Sequence, residues 1–413
     1  MVYKHVVFSV VLAAVAWGTF AGDGSAADVG TFTNPVIAAD WPDPAFWNGG
    51  DGWYYSVATG LKTIRRSRNL VDWEDSHIDP LTTAARERLH MVSRHVWAPC
   101  VVKLGGKWVL YISLFVSDPD CRIAALVADT PTGPFEFRNE VIDSRRDGVW
   151  NAIDPYVLEV EGRVWMFFGS LADGIHRVEL SADGLSVKDG AKPVHVAGVR
   201  RPADKMKRAW EGSYLHFRKG WWYLFVSGGH YGDHTYYLTV GRSRRIDGEF
   251  LDSKGRPMTE GLAEPILSSD AGDFFYGPGH NGEIFTSADG HDYIFYHAHA
   301  RNFKPNERPT LLQELLWSED GWPRFKDNRP QKTEQPICLL WTNRLCAIAK
   351  RSRVHGHKTV LASFHISFGV NCSMYWRHFN IVLTPTLMTG HIGETIWPRA
   401  ESVLPHTDFR LAT

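Results

Sequence analysis

Apolar positions along this chain come in short runs of aromatic and β-branched residues, cut apart by Gly, Asp, Asn and Pro. From Asn34 onward no stretch shows the heptad spacing of an amphipathic helix. Short strand-forming runs bounded by turn formers predict an all-β domain. One pattern recurs, a turn glycine followed by an aromatic run. It stands at Gly52-Trp53-Tyr54-Tyr55, Gly106-Lys107-Trp108-Val109-Leu110-Tyr111 and Gly162-Arg163-Val164-Trp165-Met166-Phe167-Phe168. It returns at Gly220-Trp221-Trp222-Tyr223-Leu224-Phe225 and at Gly290-His291-Asp292-Tyr293-Ile294-Phe295-Tyr296. The glycines are 54, 56, 58 and 70 residues apart. A repeat of roughly 50 residues built from short strands is the signature of propeller blades. The pattern predicts a five-bladed β-propeller over residues 33–325.

Each blade read backwards from its glycine gives the candidate chemistry. Nine residues before Gly52 stands Asp43, between Pro42 and Pro44. Eight before Gly162 stands Asp154, in Asn151-Ala152-Ile153-Asp154-Pro155, and nine before Gly220 stands Glu211, in Trp210-Glu211-Gly212. Ten before Gly290 is His280, and nine before Gly106 is Trp97. Equivalent positions in stacked repeats are equivalent in space. Three acids, a histidine and a tryptophan are therefore expected to converge on one end of the central channel. An aspartate beside proline is by itself a turn residue, but three crowded carboxylates are costly unless used.

Composition narrows the partner. Aromatic residues make up 13% of the chain and include 17 Trp, which suits strands and also suits sugar platforms, whose apolar faces and polar edges match a tryptophan. Formal net charge is -1, so nothing draws the chain to nucleic acid or to an anionic membrane. Five cysteines without a CxxC pair exclude a disulfide framework or a structural zinc cluster as the organising principle. Cys100 and Cys121 are close enough in sequence for pairing to stay open. Lys4 and His5, the apolar run of residues 6–20 and the small residues after it have the form of an export signal, expected over residues 1–27. A secreted or periplasmic protein with no membrane attachment after cleavage follows. Histidines 230, 234, 297 and 299 are read as structural. Residues 326–413 lose the glycine-aromatic pattern and are read as a tail of unknown structure.

The ordered motifs resemble a known family. Pro42-Asp43-Pro44, Trp97-Ala98-Pro99, Asn151-Ala152-Ile153-Asp154-Pro155, Phe168-Gly169-Ser170, Trp210-Glu211-Gly212, Val240-Gly241-Arg242-Ser243 and Gly277-Pro278-Gly279-His280 are similar to those of family 43 glycoside hydrolases, and within it to the endo-acting α-1,5-L-arabinanases. The resemblance implies a five-bladed propeller that cleaves glycosidic bonds with inversion. It makes Asp43 the general base, Glu211 the general acid, and Asp154 the residue that raises the acid's pKa and orients it. Asp43, Asp154, Asn151 and Ser170 would contact the sugar, and Trp97 would supply an apolar wall. His280 would ligate a hydrated calcium ion, and no organic cofactor is implied. The partner would be plant cell-wall arabinan or arabinoxylan, or their oligosaccharides. An exo-acting α-L-arabinofuranosidase or β-xylosidase of the same family would use the same trio, and a non-catalytic sugar-binding propeller would keep the aromatic residues without needing the acids. Cys100 stands where relatives commonly carry Asp.

Overall fold

The computed structural model describes residues 29–342, apart from 94, 171, 204–209 and 339–340. The expected export signal and most of residues 326–413 lie outside the described residues. Five antiparallel sheets follow one another along the chain. The first four are formed by Ala45–Asn48, Tyr54–Val57, Arg65–Ser67 and Glu74–Asp75, by His95–Leu104 to Glu136–Asp143, by Tyr156–Val160 to Val194–Ala197, and by Glu211–Arg218 to Pro265–Leu267. The fifth contains Phe275–Gly279, Ile284–Ser287, Asp292–Ala300, Thr310–Trp317 and Pro323–Arg324. The five-bladed β-propeller is thus the fold observed. All five repeat glycines sit at hairpin turns with φ between 74° and 92°, a conformation that side chains with a Cβ rarely adopt.

The period-two pattern of each strand explains the packing. Adjacent strand residues point to opposite faces of a blade, so one set meets the preceding blade and the other the following one. Val157, Val164 and Met166 pack with Cys100, Val109 and Tyr111 of blade 2. Their neighbours Leu158, Trp165 and Phe167 pack with Leu215, Trp222 and Leu224 of blade 4. Among the described residues five such clusters fill the five seams. The ring closes through the chain ahead of blade 1. Asn34 brackets Leu312 of blade 5, its amide donating to the Leu312 carbonyl (2.8 Å) and its Oδ1 accepting the Leu312 N–H (2.9 Å). Val29–Phe32 pairs with Gln335–Cys338, so ordered structure continues past residue 325.

The sequence pattern misses the longer of the two α-helices among the described residues, Thr83–Val92, between blades 1 and 2. Thr82 caps it by accepting the Ala85 N–H (3.1 Å). Only Ala85 and Leu89 of the helix are buried, one pair at i, i+4, which is too narrow a stripe to stand out as helical periodicity. Cys100 and Cys121 are buried free thiols, not a disulfide.

Candidate active site

At the same end of the channel, the innermost strand of each blade carries, in it or beside it, a residue in the left-handed backbone region. These residues are Asp43 (φ 53°), Ala98 (40°), Asp154 (55°), Gly212 (61°) and His280 (43°). Counting back from the glycine therefore needs a correction in two blades. Blades 2 to 4 turn over two residues, as in Leu104↔Lys107, whereas blade 1 pairs Asn48 with Tyr54 across a longer loop. The longer loop adds a residue to the count. The equivalents of Asp43 are Ala98 and Gly212, and Trp97 and Glu211 each stand one residue earlier.

A ring of hydrogen bonds fixes these five positions. Each main-chain N–H donates to a group on the preceding blade. Ala98 donates to Thr59 Oγ1 (2.9 Å), Asp154 to Ser113 Oγ (2.8 Å) and His280 to Ser227 Oγ (2.7 Å). The N–H of Asp43 donates to His297 Nδ1 (3.1 Å), and that of Gly212 to Asp154 Oδ2 (3.2 Å). At the seam of blades 3 and 4 a carboxyl thus does what hydroxyls do at three seams and the His297 ring does at the seam of blades 5 and 1. Since Gly212 follows Glu211 directly, Asp154 anchors the main chain that carries Glu211. A bulkier residue at 212 would be strained at φ 61° and would press its Cβ against the His280 ring at 3.0 Å.

The three acids are buried and differ in their surroundings. Asp43 Oδ1 receives Arg308 Nη1 (3.1 Å) and lies 3.3 Å from His280 Nδ1, while Oδ2 accepts the Thr59 hydroxyl (2.7 Å). Burial alone would raise its pKa, but Arg308 first, then His280, with the Thr59 hydrogen bond, hold it well below the usual carboxylate range. Asp43 is ionised. Among the described residues no cation lies against Glu211; its Oε1 accepts the Tyr236 hydroxyl (2.8 Å). Burial, helped by the negative charge of Asp43, lifts its pKa to about 7 in spite of that hydrogen bond and the more distant Arg308. Asp154 is also pushed up, by burial and by the charges of Glu211 and Asp43. Burial therefore comes first in keeping Glu211 protonated, and the mutual repulsion of Glu211 and Asp154 adds to it.

His280 bridges the acids, with Nδ1 3.3 Å from Asp43 Oδ1 and 3.9 Å from Asp154 Oδ2. Burial lowers its pKa, so the ring is disposed to be neutral. Below it a cavity of about 20 Å³ is lined by Asp154, His280, Asn281 and Glu283, with the buried Asn281 Oδ1 lacking a partner. That is room for about one water molecule. Among the described residues no three His, Cys, Asp or Glu side chains gather as metal ligands. The side chains by themselves make no calcium cage. An ion here would have His280 as its protein ligand and water for the rest.

The other expected contacts lie around the mouth. Trp97 is half-buried and stacks on His95 (5.7 Å between ring centres), with Phe115 at 5.0 Å, giving an aromatic wall on blade 2. Asn151 sits in the loop leading to Asp154, at φ 47°, with its N–H on the Pro119 carbonyl (2.8 Å). Ser170 is buried at the end of the second strand of blade 3. Arg308, Thr59, His297 and Tyr236 are site residues that the motifs did not reveal. Only His297 gave a signal, since its strand reaches the site end as Ser113 and Ser227 do.

Comparison with known proteins agrees with this geometry. The family model for glycosyl hydrolases family 43 matches residues 32–323. This chain belongs to glycosyl hydrolase family 43. Two characterised relatives in the family are each 30% identical to it. The extracellular exo-α-(1→5)-L-arabinofuranosidase of Cellvibrio japonicus aligns over 70% of this chain and 87% of its own length. The extracellular endo-α-(1→5)-L-arabinanase 1 of Bacillus subtilis aligns over 71% of this chain and 93% of its own. The structure of the Cellvibrio cellulosa α-L-arabinanase complexed with arabinohexaose superposes with a TM-score of 0.61 at 28% identity, covering 70% of this chain and 96% of that one. As a family 43 member the chain is an arabinanase-like glycoside hydrolase, and its relatives include both exo- and endo-acting enzymes.

Proposed function

We propose that the protein is a secreted hydrolase that cuts α-1,5-linked L-arabinan within the chain, with inversion at the anomeric carbon. The observation that carries this reading is the opposite protonation of two carboxyls facing one channel mouth. Asp43 is kept ionised by Arg308 and His280, while Glu211 is kept protonated by burial. An inverting glycosidase needs such a pair, roughly 6.5–9.5 Å apart, with a water between the base and the sugar. Asp43 takes a proton from that water, whose oxygen bonds to the anomeric carbon. The bond to the leaving oxygen breaks on the opposite face, and Glu211 gives that oxygen its proton. Asp154 holds the strand that presents Glu211, and Trp97, Asn151 and Ser170 are proposed to shape the sugar site. A calcium ion at His280 enters no step.

The extracellular relatives, exo and endo alike, support export and an arabinan substrate. The deciding experiment incubates the purified protein with linear arabinan, arabinoxylan and aryl glycosides. Oligosaccharides released early from linear arabinan are the expected result. Arabinose as the sole early product would make the enzyme exo-acting, and turnover confined to xylosides would move the substrate class.

A further inference from the structure

In every blade the loops between the second and third strands, and those leading to the next blade, lie at the site end of the propeller. Five of the seven large apolar side chains exposed among the described residues fall in those loops, namely Ile78, Met91, Val116, Trp150 and Tyr231. The two aromatic ones are Trp150 and Tyr231. Tyr231 is the more open, at 48% exposed, and stands in the blade 4 loop that follows Trp221–Gly228. Its half-exposed ring is open to a ligand arriving at the site end.

Its surroundings hold it in place. His299 Nε2 donates to the Tyr231 carbonyl (2.9 Å), the His230 N–H donates to Thr235 Oγ1 (3.1 Å), and the Gly232 N–H donates to His230 Nδ1 (3.3 Å). The His230 ring stacks beside the tyrosine (5.1 Å, 27°). Arg308 lies 5.1 Å from the Tyr231 ring centre while its Nη1 grips Asp43. Tyr231 is thus one side chain away from the ionised acid. In a five-bladed ring the seam of blades 4 and 5 lies across the axis from blade 2, which carries the Trp97 wall.

We propose that Tyr231, with His230 beside it, is a stacking platform for a neutral sugar ring of the polysaccharide, across the channel mouth from Trp97. A rigid, half-exposed aromatic surface next to a guanidinium offers an apolar face for the sugar's C–H groups and hydrogen-bond donors at its edge. Two platforms on opposite sides of the mouth grip a chain on both sides of the bond being cut. This deepens the arabinanase reading above and rests on it.

The experiment compares wild type, Tyr231→Ala and Tyr231→Phe on linear arabino-oligosaccharides of increasing length, with thermal melting to check folding. The expected result is that the long-over-short ratio of kcat/KM falls by about tenfold in the alanine variant, through KM. The phenylalanine variant should recover most of the ratio. An unchanged ratio in Tyr231→Ala overturns the proposal, and so does a loss in kcat equal at every length, which would make Tyr231 a positioning residue for Arg308. A wild type that hydrolyses arabinan while the ratio stays fixed sinks this inference alone. A wild type inert on polysaccharide sinks the functional reading and this inference with it.

Discussion

Asp43, at the seam between blades 5 and 1, and Asp154, whose carboxyl reaches into the seam between blades 3 and 4, share one backbone pose, yet their pKa values move in opposite directions. Asp43 and Asp154 share a left-handed φ, a following proline and a main-chain N–H tied to the preceding blade. Around Asp43 stand Arg308, His280 and the Thr59 hydroxyl. Around Asp154 and Glu211 stand the Gly212 N–H, the Tyr236 hydroxyl and apolar walls, with His280 at 3.9 Å as the nearest nitrogen base to Asp154. A buried carboxyl ionises only where a charge or several donors replace water. The fold supplies five equivalent stations, and the charge of Arg308 does most to set the carboxyl of Asp43 apart from that of Asp154.

Removing the carboxyls themselves breaks this contrast most severely. Asp43→Asn and Glu211→Gln should each lower kcat/KM on arabinan by about a thousandfold or more. The two should part on aryl arabinosides with an acidic phenol as leaving group, which needs little protonation. There Glu211→Gln should recover much of its rate and Asp43→Asn should not. If both variants recover equally, the acid and base are misassigned. Next comes the charge that separates the seams. Arg308→Met should raise the pKa of Asp43 by about 1–3 units, since an opposite charge at this distance is worth that much. The acidic limb of the kcat/KM profile would move up by that amount, because protonated Asp43 cannot accept a proton from water. In the wild type that limb should lie below the usual carboxylate range, and the alkaline limb near 7, where Glu211 loses its proton. A limb that stays put in Arg308→Met would show that Arg308 does not set the ionisation of Asp43.

The contrast was only half legible in the sequence. The acids were visible because blades repeat and because local motifs such as Pro42-Asp43-Pro44 hold their backbone. Their register was one residue off at Glu211, since hairpin length varies and a count from the turn cannot see it. Arg308 was invisible for a different reason. It reaches Asp43 from a rim loop 265 residues away, a pairing that the closure of the ring creates and no periodicity records. Tyr236 likewise meets Glu211 across a loop of its own blade. Stations come from the repeat, and so can be read; partners come from tertiary closure, and cannot.

His280 touches both seams and allows a test of the calcium proposal. His280→Ala should lower kcat/KM by roughly ten- to a hundredfold, because it removes the ring that stands between the two acids, 3.3 Å from Asp43 and 3.9 Å from Asp154. Exhaustive chelation of the wild type should cost less, since one imidazole is a poor anchor for a hard cation that prefers oxygen. Equal losses, with no additional effect of chelator on His280→Ala, would instead mean that the histidine acts through the ion.

The smallest expected effect sharpens the comparison from the Glu211 side. The Tyr236 hydroxyl donates to Glu211 Oε1 at 2.8 Å, which favours the ionised acid and opposes the effect of burial. Tyr236→Phe removes that donor and keeps the ring, which lies parallel to His297 (3° between planes, 5.7 Å between centres). The pKa of Glu211 should rise further, by less than about one unit, so the alkaline limb of kcat/KM should move to higher pH. The acidic limb, set by Asp43 across the channel, should stay where it is. At a pH below both alkaline limbs the rate should fall only a few-fold, because the acid is already protonated there and loses orientation more than charge. Movement of the alkaline limb to lower pH would mean that the tyrosine stabilises the protonated acid instead, as the acceptor of its hydrogen bond. That outcome would leave burial alone, without any opposing donor, to account for the difference between the two seams.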